Sequence, residues 1–177
     1  MRRLLIIAAI TAGTAAVAGV VVYGQMHMSL LTDRKATPIR AADRKPAPLF
    51  NRTALSGEPV DLHRFTGKPV VINFFASWCV PCRQEAAGTA RIGHEFGARV
   101  HMLGIAIDDK RTGAMRFASH YGWNWPIVFD PSDDLAYRYG IGGKPTTIVL
   151  DQQGRIAWQH IGKVGTRPVT QVLDALL

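Results

Sequence analysis

The most compact hydrophobic run of the chain follows Gly67-Lys68-Pro69: Val70, Val71, Ile72, Phe74 and Phe75, interrupted only by Asn73. Turn residues ahead of a short β-branched and aromatic run predict a strand buried on both faces, hence a central one. Residues 83–97, RQEAAGTARIGHEFG, read as a helix closed by Gly97. RVHMLGIAID (99–108) is a second buried strand, and RTGAMRFASHYG (111–122) a second helix, with Met115, Phe117, Ala118 and Tyr121 on one face. PIVFD (126–130) is short and extended. PSDDLAYRYG (131–140) opens with Pro and acidic residues, which suit a helix N-terminus. PTTIVLD (145–151) and RIAWQHIG (155–162) are strands joined by Gln152-Gln153-Gly154, a hairpin signal, and residues 166–177 close the chain as a helix. Strands that first alternate with helices and later pair as a hairpin predict an α/β fold: a mixed central sheet with helices on both faces.

The N-terminus has a different pattern. Arg2 and Arg3 precede an uncharged run from Leu4 to Tyr23. As a helix this run is about 30 Å long, the thickness of a bilayer core. Arginines stay on the cytoplasmic side, so the remainder is exported. The expectation is a single-pass signal anchor over 1–23 in a bacterial inner membrane, a linker over 24–45 and a periplasmic domain over 46–177. A cleaved signal peptide, with Ala16-Val17-Ala18 as its cleavage pattern, would export the same domain. The anchor is preferred because the apolar run continues through Gly19–Tyr23.

The 177 residues include 21 Lys and Arg against 13 Asp and Glu, a formal net charge of +8. The basic residues are scattered, with no Lys/Arg run and no recognition motif, so the excess does not point to nucleic acid. A solvated basic surface accounts for it, as would an acidic partner protein or an anionic membrane surface.

Both cysteines, Cys79 and Cys82, lie between the first predicted strand and helix. A structural zinc site needs about four ligands, and no His-x3–5-His pair supplies the missing two. Haem attachment calls for His after the second cysteine, where Arg83 stands. A purely structural disulfide across two residues closes too small a loop to stabilise much. A reactive dithiol remains. Cys79 falls at the start of a helix, where free backbone N–H groups and the positive end of the helix dipole favour a thiolate. Cys82, one turn on, faces inward. Pro81 suits a first helical turn. Trp78 is placed either to shield the pair and meet a partner or simply to pack.

The segment NFFASWCVPC resembles the active-site segment of thioredoxin-fold proteins, and residues 46–177 are similar to the membrane-anchored TlpA/ResA/DsbE-like thiol–disulfide oxidoreductases. APLF with SGEPVDLHRFTGKPVVINF resembles that family's N-terminal β-hairpin extension. WCVPCRQE carries the Arg and Glu that follow its second cysteine. Residues 99–130 resemble its central helix-strand insertion, and YGIGGKPTTIVLDQQGRI its Gly-x-Pro-Thr-Thr segment and hairpin. The resemblance implies a thioredoxin-like fold, Cys79 as nucleophile, Cys82 as resolving cysteine, and Pro145 as the proline whose preceding bond is cis. Thioredoxin's buried Asp is replaced by Asn73, which leaves Glu85, one turn after Cys82, to handle the Cys82 proton. Lys144, just before Pro145, is expected to favour the Cys79 thiolate and make the disulfide more oxidising.

The resemblance further implies a reductase of client disulfides, with the apocytochrome c Cys-x-x-Cys-His pair as client in cytochrome c biogenesis and a membrane electron donor of the DsbD/CcdA type. The redox-active Cys79–Cys82 disulfide needs no cofactor and no metal. Rival expectations are a thiol oxidase or general exchange protein, and a periplasmic copper carrier built on the same pair. His94, His101, His120 and His160 read as surface or packing residues, and Trp123, Trp125 and Phe129 as core or a partner-binding rim.

Overall fold

Val70–Phe75 forms β3, and all six of its residues are buried. Alternation along the strand sends Val70, Ile72 and Phe74 into one hydrophobic layer and Val71 and Phe75 into two clusters on the other face. In the computed structural model, which describes residues 36–177, β3 is the centre of a five-stranded sheet. The expected anchor over 1–23 and residues 24–35 of the expected linker lie outside the described residues. Among the described residues no helix is long and apolar enough to cross a membrane.

The sheet is mixed. β4 (His101–Ile107) runs parallel to β3, and β5 (Ile127–Asp130) parallel to β4. On the other side β6 (Thr146–Leu150) and β7 (Ile156–Ile161) pair antiparallel, giving the order β5-β4-β3-β6-β7. A separate antiparallel hairpin, β1 (Asn51–Thr53) with β2 (Pro59–Asp61), precedes β3. Helix α1 (Val80–Phe96) covers one face together with α2 (Arg111–His120) and α4 (Thr166–Asp174). The short α3 (Asp134–Arg138) joins the layer on the other face, where Leu135, Ala136 and Tyr139 meet Val60 of the hairpin, Ile72 and Phe74. This is the expected thioredoxin-like arrangement, with its hairpin extension and its α2–β5 insertion. Helix α3 is shorter than its sequence pattern suggested. Pro131 and Ser132 remain in a turn, and the buried Asp130 carboxylate accepts the amides of Leu135 and Ala136 at the helix start.

The stretch before Pro46 departs from the linker expectation at its C-terminal end. The compact unit begins at Ala36. The Ile39 amide donates to the Ala157 carbonyl and the Ile156 amide to the Lys45 carbonyl, so these residues lie along β7, an edge strand. Asp151, fully buried, ties this lead-in down. Its carboxylate accepts from Arg44 Nη1 (3.2 Å), Arg155 Nε (2.8 Å), and the Gln153 and Arg155 amides. Periodicity does not reveal such a tie, because both guanidinium partners are hydrophilic residues that look exposed by composition.

Burial alone would raise the Asp151 carboxyl, but the hydrogen bonds from Arg155, Arg44 and Gln153 outweigh it and hold the group below its ordinary value. A depressed folded-state value means that the stability it contributes is present above pH about 4 and is lost as the pH falls through the depressed value. Asp151→Ala removes the carboxylate partner of two guanidinium groups and is expected to cost about 3 kcal/mol in urea denaturation at neutral pH. The wild type should also lose more stability on acidification than the variant does; equal acid sensitivity would count against this anchor.

Candidate active site

Strand β3 ends and α1 begins within a few residues, and the two cysteines occupy that junction. Cys79 is the N-cap of α1, and its Sγ accepts the Cys82 amide at 3.3 Å. The pair is joined as a disulfide with a Cα–Cα distance of 5.2 Å. Pro81 sits within the first two helical positions, where a missing N–H costs nothing. Both cysteines are buried, whereas Trp78 and Val80 on either side of Cys79 are 55% and 53% exposed. The mouth of the site is therefore an apolar rim around a recessed disulfide. The Lys144–Pro145 bond is cis, Pro145 is buried, and the Gly162 amide donates to its carbonyl.

Behind the disulfide, alternation places Asn73 on the α1 face of β3, directly opposite Thr147 in the antiparallel register with β6. Asn73 Nδ2 donates to Glu85 Oε1 at 2.9 Å and to Thr147 Oγ1 at 3.0 Å. The other carboxylate oxygen, Glu85 Oε2, accepts the Val164 amide at 3.0 Å. Glu85 is 6% exposed. Burial pushes its carboxyl above the usual range, and the hydrogen bonds from Val164 and Asn73 and the charge of Lys163 offset this only in part. Asn73 and Glu85, read from the sequence as separate features, are one hydrogen-bonded unit.

Lys144 is held by an ion pair that its place in the sequence does not reveal. Its ammonium lies 2.8 Å from Asp108 Oδ2 and 4.6 Å above the Trp78 ring. It is the Lys144 carbonyl oxygen that approaches the disulfide, 3.7 Å from Cys79 Sγ. The positive charge is thus paired with a carboxylate instead of standing alone beside the sulfur. Trp78 is held from the same side, its indole N–H donating to the Asp108 carbonyl at 2.7 Å. Asp109 clamps the loop ahead of Cys79, accepting the Ser77 amide (2.6 Å) and hydroxyl (2.8 Å). Asp108, Asp109 and Thr147 carry no motif that marks them as site residues in the sequence. The first two were open to inference, since they follow the C-terminal end of a buried strand next to β3, the place where α/β sheets carry their sites. Among the described residues no group of three or more His, Cys, Asp and Glu side chains is gathered as for a metal.

The sequence pattern of the AhpC/TSA family matches residues 44–159. The chain belongs to the AhpC/TSA family. It is 32% identical over 152 residues to the thiol:disulfide interchange protein DsbE of Allochromatium vinosum, covering 84% of this chain and 80% of that one. The thiol-disulfide oxidoreductase ResA of Bacillus thuringiensis is 29% identical over 120 residues, 67% of this chain and 69% of that one. Among solved structures, a DsbF homologue from Corynebacterium diphtheriae superposes with a TM-score of 0.73 at 28% identity, covering 82% of this chain and 96% of the other. The protein is a thiol–disulfide oxidoreductase of the ResA/DsbE type, with Cys79 and Cys82 as its cysteine pair.

The charge arrangement around this oxidoreductase's pair makes an asymmetric prediction. Lys144→Met, which removes a cation and leaves Asp108 unpaired, should lower the thiolate fraction of the reduced enzyme at neutral pH. Asp108→Asn, which frees the ammonium, should raise it. Each change should be about two- to fourfold, the scale of a partly exposed ion pair, read by the ultraviolet absorbance of the thiolate. No response to Asp108→Asn would show that the pair does not act on the sulfur.

Proposed function

We propose that this oxidoreductase works outside the cytoplasmic membrane, tethered by the segment Leu4–Tyr23, as a reductase of protein disulfides. Its proposed client is the Cys-x-x-Cys-His pair of an apocytochrome c. The observation that carries the chemistry is the buried Glu85 carboxylate, fixed by Asn73 and the Val164 amide one helical turn from Cys82. The Cys79 thiolate, favoured by the Cys82 amide and the start of α1, attacks one sulfur of the client disulfide. The Cys79–client mixed disulfide forms and one client thiolate leaves. Glu85 accepts the proton of Cys82, whose thiolate then attacks Cys79 Sγ. The second client thiolate departs, and the Cys79–Cys82 disulfide closes. Two electrons pass to the client, and no cofactor beyond the cysteine pair takes part.

An exported compartment is oxidising, so the pair must be recharged by a dithiol carrier that brings electrons across the membrane, of the DsbD/CcdA type. The names of the ResA and DsbE relatives support the exchange chemistry. The pairing of Lys144 with Asp108 offsets part of the charge that would otherwise argue for an oxidase.

Cys82→Ala should accumulate a mixed disulfide between Cys79 and the client in cells, identified by mass spectrometry; failure to capture any partner would overturn the enzyme–client reading. A reduction potential near about −120 mV, in the range of strong oxidants, would reverse the proposed direction. For Glu85 the sign follows from its raised value: the carboxylate accepts a proton only once ionised, so resolution should speed up as pH rises through that value. Glu85→Gln should slow resolution about 100-fold at neutral pH and move the rise toward the ordinary thiol range, about pH 8.5. An unshifted profile would rule Glu85 out as the proton acceptor.

A further inference from the structure

Between helix α2 and the residues Ser77 and Arg83, which bracket the cysteine pair in the chain, lies a hollow of about 400 Å3 whose wall also includes Arg116, His120, Phe117 and Tyr121. Among the described residues no carboxylate lines it. It shares Ser77, Gly113 and Arg116 with a second hollow of about 520 Å3 that opens at Trp78, the residue before Cys79. Of the carboxylates in that second wall one is paired with a cation and the other is held by neutral donors, so a single uncompensated carboxylate faces Arg83, Lys110 and Arg116. Asp109 is held by the Ser77 amide and hydroxyl and by the Lys110 amide, and Asp108 is paired with Lys144. Lys110 and Arg116 are exposed, and neither ammonium nor guanidinium forms an ion pair among the described residues. Arg83 spends one N–H on the Ser77 carbonyl and keeps its other donors.

We propose that this cationic cleft is a specificity site for clients carrying Asp or Glu within a few residues of the cysteine that Cys79 attacks. The inference rests on the exchange reading above and adds to it the chemistry of the client. Arg116 is common to both hollows, so a carboxylate there meets a planar, permanently charged fork suited to bidentate bonding. Phe117 and Tyr121 offer apolar surface beneath it. An extended peptide advances about 3.3 Å per residue, so a chain passing the apolar rim at Trp78 brings side chains close to its reacting cysteine into the cleft. The cations also sit where they attract an acidic surface before contact, which raises the encounter rate and makes it sensitive to salt.

The test has two arms. In the first, two cysteine-free fluorescent octapeptides, one Asp-rich and one with Lys in the same positions, are titrated against the oxidised wild type and Arg116→Glu. In the second, disulfide-linked peptides differing only in Asp-Asp or Lys-Lys near the cysteine are reduced by the dithiol form, with bis(2-hydroxyethyl) disulfide as an uncharged control. The expected result is about a tenfold preference for the acidic peptide in both arms, shrinking at high salt, abolished or inverted in Arg116→Glu and largely kept in Arg116→Lys. The uncharged disulfide should react equally with all three proteins. Equal binding of the two octapeptides to the wild type, or a preference that survives Arg116→Glu, overturns the site. If no disulfide is reduced at all, the exchange direction fails in the second arm while the first still decides the cleft.

Discussion

A carboxylate placed in the core without a cation at hydrogen-bond distance must be held by neutral donors, and Glu85 draws its donors from several elements at once. Its own position comes from α1, the Asn73 amide from the central strand, and the Val164 amide from the loop ahead of the last helix. Thr147, on the neighbouring antiparallel strand, occupies the Asn73 side chain from the other direction. Moving the register of β3 by one residue would send Asn73 into the opposite layer, against Ile105, Leu135 and Ile148, and leave both the amide and the carboxylate unsatisfied. The buried polar unit therefore makes the sheet register, the seating of α1 and the closure of the loop after β7 mutually dependent. Such a unit is worth keeping only when fully satisfied, and among the described residues no buried side-chain polar atom lacks a partner.

The same sheet supplies the rim. Parallel strands β3 and β4 end side by side, and the chain leaves them as Ala76-Ser77-Trp78 and Asp108-Asp109. Asp108 adopts a positive φ of 46°, a backbone conformation that short polar residues such as Asp tolerate. Its carbonyl faces the Trp78 indole while its carboxylate faces Lys144. Together with Asp109 on Ser77, this holds the loop ahead of Cys79 from the β4 side. The recessed sulfurs, the exposed Trp78 and Val80, and the cis bond at Pro145 thus share one surface whose geometry is set by strand ends rather than by a long flexible loop.

Much of this was legible in the sequence because it is local. The β3 run, the cysteines at a strand-to-helix junction, Pro81, the hairpin around Gly154 and the helix stops at glycine all follow from patterns a few residues long. Three features were not, and each joins residues far apart. Lys144 is 36 positions from Asp108, so its charge looked free until the fold brought the pair together. Residues 36–45 looked like tether because Arg44 is anchored by Asp151, across 107 positions. Glu85 and Asn73 stand out beside the cysteines in the sequence, but Thr147 joins them only through the antiparallel register. Local periodicity states which face is buried; it does not state which polar group waits on that face.

The direction of electron flow turns on how strongly the fold stabilises a thiolate relative to a disulfide, because a stabilised thiolate makes an oxidant. On the stabilising side stand the Cys82 amide and the N-terminal end of α1, local effects that any cysteine at a helix start enjoys. On the opposing side stands Glu85, whose ionised form one turn beyond Cys82 repels a second negative charge in a weakly screened interior. Lys144, the group best placed to tip the balance toward oxidation, has its charge largely offset by Asp108 at 2.8 Å. With the outer cation largely offset and Glu85 in no ion pair among the described residues, only the local effects of the helix start stabilise the thiolate of the reduced state. That balance favours a dithiol that gives its electrons away, the direction proposed for this oxidoreductase.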